Sequence, residues 1–430
     1  MTNIFDIVVI LSTICMLAAC ETVSYRGYKV YTVHPLTRAQ LDILKRMNDG
    51  EGMDFWSTPR LGSNSSVMVS PNAADSFTMS LNLHNISHQL LNADAQQLID
   101  QERVDQMKHF RKRQVAFHTV VRSSMLDHIW TLDEIYDYMD YLARAYPGIV
   151  RVKNYGTTYE GRPIKVITIS ATGEVRLFRP VVLVDGGVHA REWASHMSVL
   201  YLIYQLVERS AENSDMLANT DWVIMPVVNP DGYVYTHAQN RLWRKNRVPV
   251  NPICRGVDVN RNFPFQWSFS GGECSDGYAG PAPASEAETR ALMLLMATYA
   301  RATKVYLSVH SCGDLILYPY GYSYVQAPNA AELHALGERV ALAVLANNGP
   351  HYRVGSASYL LYPSNGSDDF IYGSLGVQYA YTLELTCGIA GGGFIVSMPE
   401  MRKIANEAFI MFNVYGIFAG EQTVGPRHRA

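Results

Sequence analysis

Three apolar runs in this chain each lead to a residue that can bind a metal or move a proton, and this limits the folds open to it. Val184–Val188 leads into His189-Ala190-Arg191-Glu192, Leu307–Val309 into His310, and Tyr379–Leu383 into Glu384. Short continuous apolar runs read as strands buried on both faces, which belong in the middle of a sheet covered by helices. In such sheets ligands bind beyond the carboxyl ends of the strands, where His189, His310 and Glu384 fall. A catalytic zinc takes three ligands from His and carboxylate and keeps one position open. A further carboxylate can accept the proton of a water attacking a carbonyl. His189, Glu192 and His310 supply such a ligand set, and Glu384 the further carboxylate. His-x-x-Glu alone recurs by chance, and a single strand-end His often serves only the core, so the argument rests on the four together.

Helical and strand-like patterns alternate from about residue 114 onward. Helices are predicted over Leu132–Tyr146, Trp193–Arg209, Glu286–Arg301, Ala331–Asn347 and Pro399–Ala419. Strands are predicted near Val150–Tyr155, Ile164–Ser170, Pro180–Val184, Trp222–Val228, Lys304–Val309 and Val377–Leu383, with Asn229–Glu286 as one long loop. The alternation predicts an α/β fold, a mixed, mostly parallel, doubly wound sheet with helices on both faces. Residues 21–113 carry a separate pattern: strand-like Tyr28–Val33 and Ser66–Val69, a helical spacing at Leu41, Leu44 and Met47, and a polar helix over Asp94–Met107. They predict a small α+β domain closed by the basic cluster Arg111-Lys112-Arg113.

Residues 4–20 are mostly apolar, end among small residues and are too short for a confident membrane span. Residues 1–20 therefore read as a signal peptide, although Asp6 is present and no Lys or Arg precedes the run. Leu17-Ala18-Ala19-Cys20 also fits a bacterial lipoprotein box. No later run reaches spanning length, so a secreted mature protein with no membrane contact is expected. A net charge of −3 without a basic stripe argues against nucleic acid as a partner. Of six Cys, Cys15 and Cys20 lie in the leader. The remaining Cys254, Cys274, Cys312 and Cys387 suit two disulfides in a secreted chain. Asn64, Asn85 and Asn365 open sequons that permit glycosylation.

Eight ordered motifs go further: Thr131–Tyr136, Tyr159–Ile164, His189–Trp193, Asn229–Tyr233, Asn240–Lys245, Gly256–Phe263, Tyr318–Tyr322 and Thr382–Leu385. Together they resemble the A/B subfamily of zinc metallocarboxypeptidases, over about Trp130 to Tyr415. The resemblance implies one zinc ion (Zn2+) on His189, Glu192 and His310, with Asp258 orienting the His189 imidazole. It implies Glu384 as general base and Arg244 as the group that stabilises the developing oxyanion. Asn260, Arg261 and Tyr362 would hold the free carboxylate of the substrate's last residue. Substrates would be the C-termini of peptides and proteins. Residues 21–113 would be an inhibitory activation propeptide, cut near Arg111–Arg113 by a trypsin-like or furin-like protease to free a monomeric catalytic domain at 114–430.

The loop Tyr362–Phe370 admits two registers against that family. Matched on Ser-Asp-Asp, Asp368 lies at the base of the pocket for the departing side chain; counted from Tyr362, Asp369 does. Either carboxylate implies a departing Lys or Arg, as in carboxypeptidase B. The alternatives are A-type preference for apolar or aromatic ends, or a catalytically silent binding protein on the same fold. The chain leaves the family pattern at Cys312, where Tyr is usual, and at Thr386-Cys387, where Arg-Asp is usual. We expect a Cys312–Cys387 bridge tying the His310 strand to the Glu384 strand, beside Cys254–Cys274. Two buried thiols are the alternative, and a bridge requires Cα atoms within about 7 Å.

Overall fold

The computed structural model describes residues 22–47, 50–113, 125–175, 178–388 and 392–422. The leader at 1–20, the segment 114–124 and the side chains of Arg111, Lys112 and Arg113 lie outside the described structure.

The N-terminal unit is a four-stranded antiparallel sheet of β1 (Lys29–His34), β2 (Met53–Phe55), β3 (Ser65–Val69) and β4 (Ser87–Asn92), in the order β2-β3-β1-β4. Leu44 of helix Arg38–Met47 and Phe77 and Leu81 of helix Ala74–Leu83 pack with Val33, Val67 and Val69 in its core. Three of these elements escape the sequence reading. β2 is too short to show a period, β4 is largely polar at the sheet's edge, and the second helix buries only Ala74, Phe77 and Leu81. The last helix, Ala95–Arg113, runs past Met107 through the basic cluster.

The second unit is an eight-stranded sheet. Its strands are β5 (Val150–Thr157), β6 (Pro163–Ile169), β7 (Val181–Gly186), β8 (Asp221–Met225), β9 (Thr303–Ser311), β10 (Leu315–Tyr318), β11 (Arg353–Ser356) and β12 (Tyr379–Leu385). The order is β11-β10-β12-β9-β7-β8-β6-β5. β8, β7, β9 and β12 form a parallel block, with antiparallel pairings at β10/β12, β6/β8 and β5/β6. Every residue of β7 and β8 is buried, as a central parallel strand requires. Helices Leu132–Ala145, Trp193–Val207, Ala330–Ala346 and Met398–Glu421 cover one face around Val182, Val184, Leu307 and Leu383. Ala287–Tyr299 and Ser367–Leu375 cover the other around Val181, Leu183 and Tyr306. The α/β expectation holds, with helices on both faces.

Helix starts follow their caps. Thr131 and Glu134 exchange side-chain and backbone hydrogen bonds at the start of Leu132–Ala145, a reciprocal cap that satisfies two orphan donors. Asn229-Pro230 reads in the sequence as the opening of a long loop, and here the structure corrects it. The Asn229 side chain accepts from Gly232 N, and Pro230 begins helix Pro230–Ala238. Burial also separates the three sequons. Asn365 is buried, and its amide donates to the Phe263 carbonyl at 3.0 Å, so the folded chain offers no acceptor there. Asn64 and Asn85 are exposed. No described helix is long and apolar enough to cross a membrane.

Candidate metal and catalytic site

The side-chain period of two along a strand builds the site. On β9, Val305, Leu307 and Val309 face one core, which turns Tyr306, Ser308 and His310 to the other side. On β12, Tyr381, Leu383 and Leu385 do the same for Thr382 and Glu384. Parallel register sets Glu384 directly beside His310. His189 and Glu192 lie just past the end of neighbouring β7, where the chain turns into helix Trp193–Val207. Gly187 makes that turn at φ +66°, and a Cβ there would meet the His196 ring at 2.3 Å.

Ligand atoms of His189, Glu192 and His310 all lie within 4.8 Å of one another, and all three residues are buried. His189 Nδ1 is 2.8 Å from Glu192 Oε1, His310 Nδ1 is 3.1 Å from Glu192 Oε2, and the two Nδ1 atoms are 3.1 Å apart. The outer ring nitrogens are committed elsewhere. His189 Nε2 donates to Asp258 Oδ1 at 3.1 Å, since a carboxylate can only accept. His310 Nε2 donates to Ser308 Oγ at 3.1 Å, and Ser308 donates to Asp185 Oδ1 at 2.9 Å. In neutral imidazoles both Nδ1 lone pairs then point inward at a carboxylate. Four acceptor atoms converging in a dry pocket call for a cation, and two His with one carboxylate is a zinc donor set. Ser311 N donates to Glu192 Oε2 at 3.1 Å and fixes that carboxylate.

Buried Asp185 is a site residue the sequence reading passes over. It accepts from Ser308 and from the Tyr306 hydroxyl, and burial pushes its carboxyl up to about 6. A lone acidic residue directly after the all-apolar run Val181–Val184 was the available signal. Asp258 behaves oppositely. Burial opposes its charge, but Arg244 and His189 outweigh that and hold it well below the usual carboxylate range. Arg244 donates to Asp258 Oδ2 from Nη2 at 2.9 Å, and its Nη1 lies 3.6 Å from Glu192 Oε1.

Asn260 and Arg261 sit on the short helix Val259–Arg261, started by the Asp258 side chain. Arg261 Nη2 donates to the Tyr362 hydroxyl at 3.1 Å, so these two residues meet across the site mouth. Asn260 Oδ1 accepts from Ser367 N at 3.0 Å. The structure separates the two candidate aspartates. Both oxygens of Asp369 are taken by backbone donors, Gly321 N at 2.8 Å and Tyr322 N at 2.7 Å. Asp368 is buried near Thr382 and His310. A Cβ at Gly366 would lie 2.9 Å from Asp368 Oδ1 and 3.2 Å from Asn260 Oδ1, so both side chains line the backbone at Gly366. Burial raises both carboxyls above their ordinary values.

Disulfides join Cys254 to Cys274 and Cys312 to Cys387, with Cα separations of 5.0 and 4.8 Å. The second bridge ties the ends of β9 and β12 just past His310 and Glu384. It closes a sequence separation of 75 residues, and the paired Cys312→Ser, Cys387→Ser variant should lose about 2–4 kcal/mol of stability. Urea unfolding of both proteins checks this, and an unshifted midpoint would remove the bridge as a stabilising element.

Comparisons with known proteins point the same way. The zinc carboxypeptidase family profile matches residues 135–411, and that of the carboxypeptidase activation peptide matches residues 31–102. Carboxypeptidase B of Helicoverpa zea is 34% identical over 430 residues, covering 97% of this chain and 98% of its own. Carboxypeptidase A1 of Rattus norvegicus is 33% identical over 405 residues, covering 91% and 94%. The crystal structure of carboxypeptidase A from Helicoverpa armigera, 30% identical, superposes with a TM-score of 0.83 over 93% of this chain and 98% of that one.

Proposed function

We propose that this chain, which belongs to the zinc carboxypeptidase family, removes C-terminal Lys or Arg and is secreted as a precursor with residues 1–20 as its leader. Metallocarboxypeptidase activity and an activation propeptide come with the family. The basic preference, and the role of each residue, are our reading. When bound by His189, Glu192 and His310, zinc supplies Lewis acidity that acidifies water and polarises a carbonyl.

Arg261 and Asn260 grip the substrate's terminal carboxylate and Tyr362 closes over it, which limits cleavage to the last peptide bond. Glu384 takes the proton from the attacking water and returns it to the leaving amine. Arg244, oriented by Asp258, stabilises negative charge growing on the carbonyl oxygen. The precursor spans 21–113 ahead of the enzyme, and a trypsin-like or furin-like protease cuts near Arg111–Arg113 to release a monomer.

One observation carries the specificity: Asp368 is a buried carboxylate lining the backbone at Gly366 with Asn260, held by Thr382 and local backbone donors, while Gly321 N and Tyr322 N both go to Asp369. A cationic side chain below a gripped carboxylate would meet it. Asp368→Asn should therefore cut kcat/KM for hippuryl-Arg by a factor matching about 2–5 kcal/mol and leave hippuryl-Phe slow but intact. An Asn variant that still prefers arginine would place the specificity on another pocket residue, and a wild-type enzyme that prefers hippuryl-Phe would make the chemistry A-type.

A further inference from the structure

Arg60, on the loop between β2 and β3 of the propeptide, reaches the catalytic domain at Gly313, where an added Cβ would lie 3.4 Å from Glu384 Cβ. Its Nη2 donates to the Gly313 carbonyl at 3.2 Å, and Asp314 and Glu384 are the acidic groups that act on its charge. Its Nε and Nη1 are buried with no hydrogen-bond partner. Oδ1 of Asp314 is buried and unpartnered as well. Gly313 and Asp314 form the turn from β9 to β10, held by a left-handed backbone at Asp314, φ +52°. A buried guanidinium with unpaired donors near a carboxylate with an unpaired oxygen is a cation site imperfectly filled.

Direct contacts order the cleft. Arg261 meets the Tyr362 hydroxyl and the Asp258 carbonyl at one end, and Asp258 holds Arg244, whose Nη1 lies 3.6 Å from Glu192 Oε1. Glu192 leads to His310 and its strand neighbour Glu384, a Cβ at Gly313 would lie 3.4 Å from Glu384 Cβ, and Arg60 donates to the Gly313 carbonyl at the other end. Since the Arg261 end takes the terminal carboxylate, the Arg60 end receives residues upstream of the scissile bond.

We propose that the Gly313 carbonyl and the Asp314 carboxylate form a subsite for a cationic side chain upstream of the scissile bond, filled by Arg60 in the precursor and opened when the propeptide leaves. Exposed Arg353 is the opposing charge nearby and weakens the site without neutralising the Asp314 oxygen. The subsite rests on carboxypeptidase activity and on the roles given to Arg261 and Glu384, and it is independent of which residue departs.

The test uses activated wild-type enzyme and peptides with one fixed C-terminal residue, chosen as the one cut fastest. Each of the three positions upstream of the scissile bond carries Arg, citrulline or Ala in turn. At one position kcat/KM should favour Arg over citrulline by on the order of tenfold, the size of one hydrogen bond to a charged group. Asp314→Asn should erase that ratio and leave the citrulline peptides unchanged. Equal rates for Arg and citrulline at all three positions in wild type would overturn the subsite without any variant having to fold. A ratio that survives Asp314→Asn would overturn it equally. An error in the pocket assigned to Asp368 would move all peptides together and leave the ratios untouched.

Discussion

Glu384→Gln is expected to keep zinc at one ion per chain while turnover falls by several orders of magnitude. The ligand set is His189, Glu192 and His310, and Glu384 stands outside it, so metal affinity has no reason to collapse. The amide has the carboxylate's shape but cannot take a proton. General-base work is worth ~10²–10⁴, and loss of a negative charge beside the reacting atoms adds to that. Burial raises the Glu384 carboxyl above its ordinary value while His310 pulls the other way. A half-buried carboxyl held between such opposing influences is what a general base near neutral pH requires. Metal analysis and kcat/KM on a small substrate, both after propeptide removal, check the two halves separately. Wild-type-like turnover would remove Glu384 from the chemistry, whereas loss of zinc would make it a structural part of the metal site.

The strand-end residues were legible because the sheet is simple where it matters. Val181–Gly186, Thr303–Ser311 and Tyr379–Leu385 are buried central strands with continuous apolar runs, so their ends mark the functional edge. Less visible were elements whose identity is settled by tertiary partners. β10 and β11 are four residues each, and helix Ser367–Leu375 opens on Ser-Asp-Asp, a turn-like string that the buried Asp368 and Asp369 make part of the core. The register between those two aspartates was undecidable from spacing. It turns on which of them Gly321 N and Tyr322 N reach, and those donors are nearly fifty residues away in sequence. The Cys312–Cys387 pairing was readable from two departures just past His310 and Glu384, because those two residues are cross-strand neighbours. Asp54, Glu102 and Arg60 had no sequence signal at all, since charged residues in a polar domain ordinarily face solvent.

Two of these residues, Glu102 and Asp54, define the last expected result: the uncut precursor is inactive on a small substrate, and Glu102→Ala makes it leak. Glu102 reaches Arg241 through two hydrogen bonds, 2.6 Å to Nε and 3.1 Å to Nη2, with both side chains buried. Arg241 also donates to the Arg191 and Phe394 carbonyls and stacks on Trp193, next to the metal ligand Glu192. Asp54 pairs with Arg191 by a similar fork at 2.9 and 3.2 Å, but its side chain is 26% exposed and its pair is worth less. Between the two pairs, Trp56 of the propeptide packs with Cys312, Leu242 and Phe394 of the enzyme. A Cβ at Gly393 would strike the Trp56 ring at 1.9 Å, so this close seat needs glycine. Removing one partner of a buried pair typically costs ~3–5 kcal/mol because the other charge is stranded. Spent on the docked propeptide, that raises the open fraction by on the order of a hundredfold or more. Precursor activity should rise accordingly for Glu102→Ala, and by a smaller factor for Asp54→Ala, while the cleaved enzymes match wild type. A precursor as active as the cleaved enzyme would show that the propeptide leaves the active site open. A silent Glu102→Ala precursor that folds normally would place the holding energy in the Trp56 seat instead.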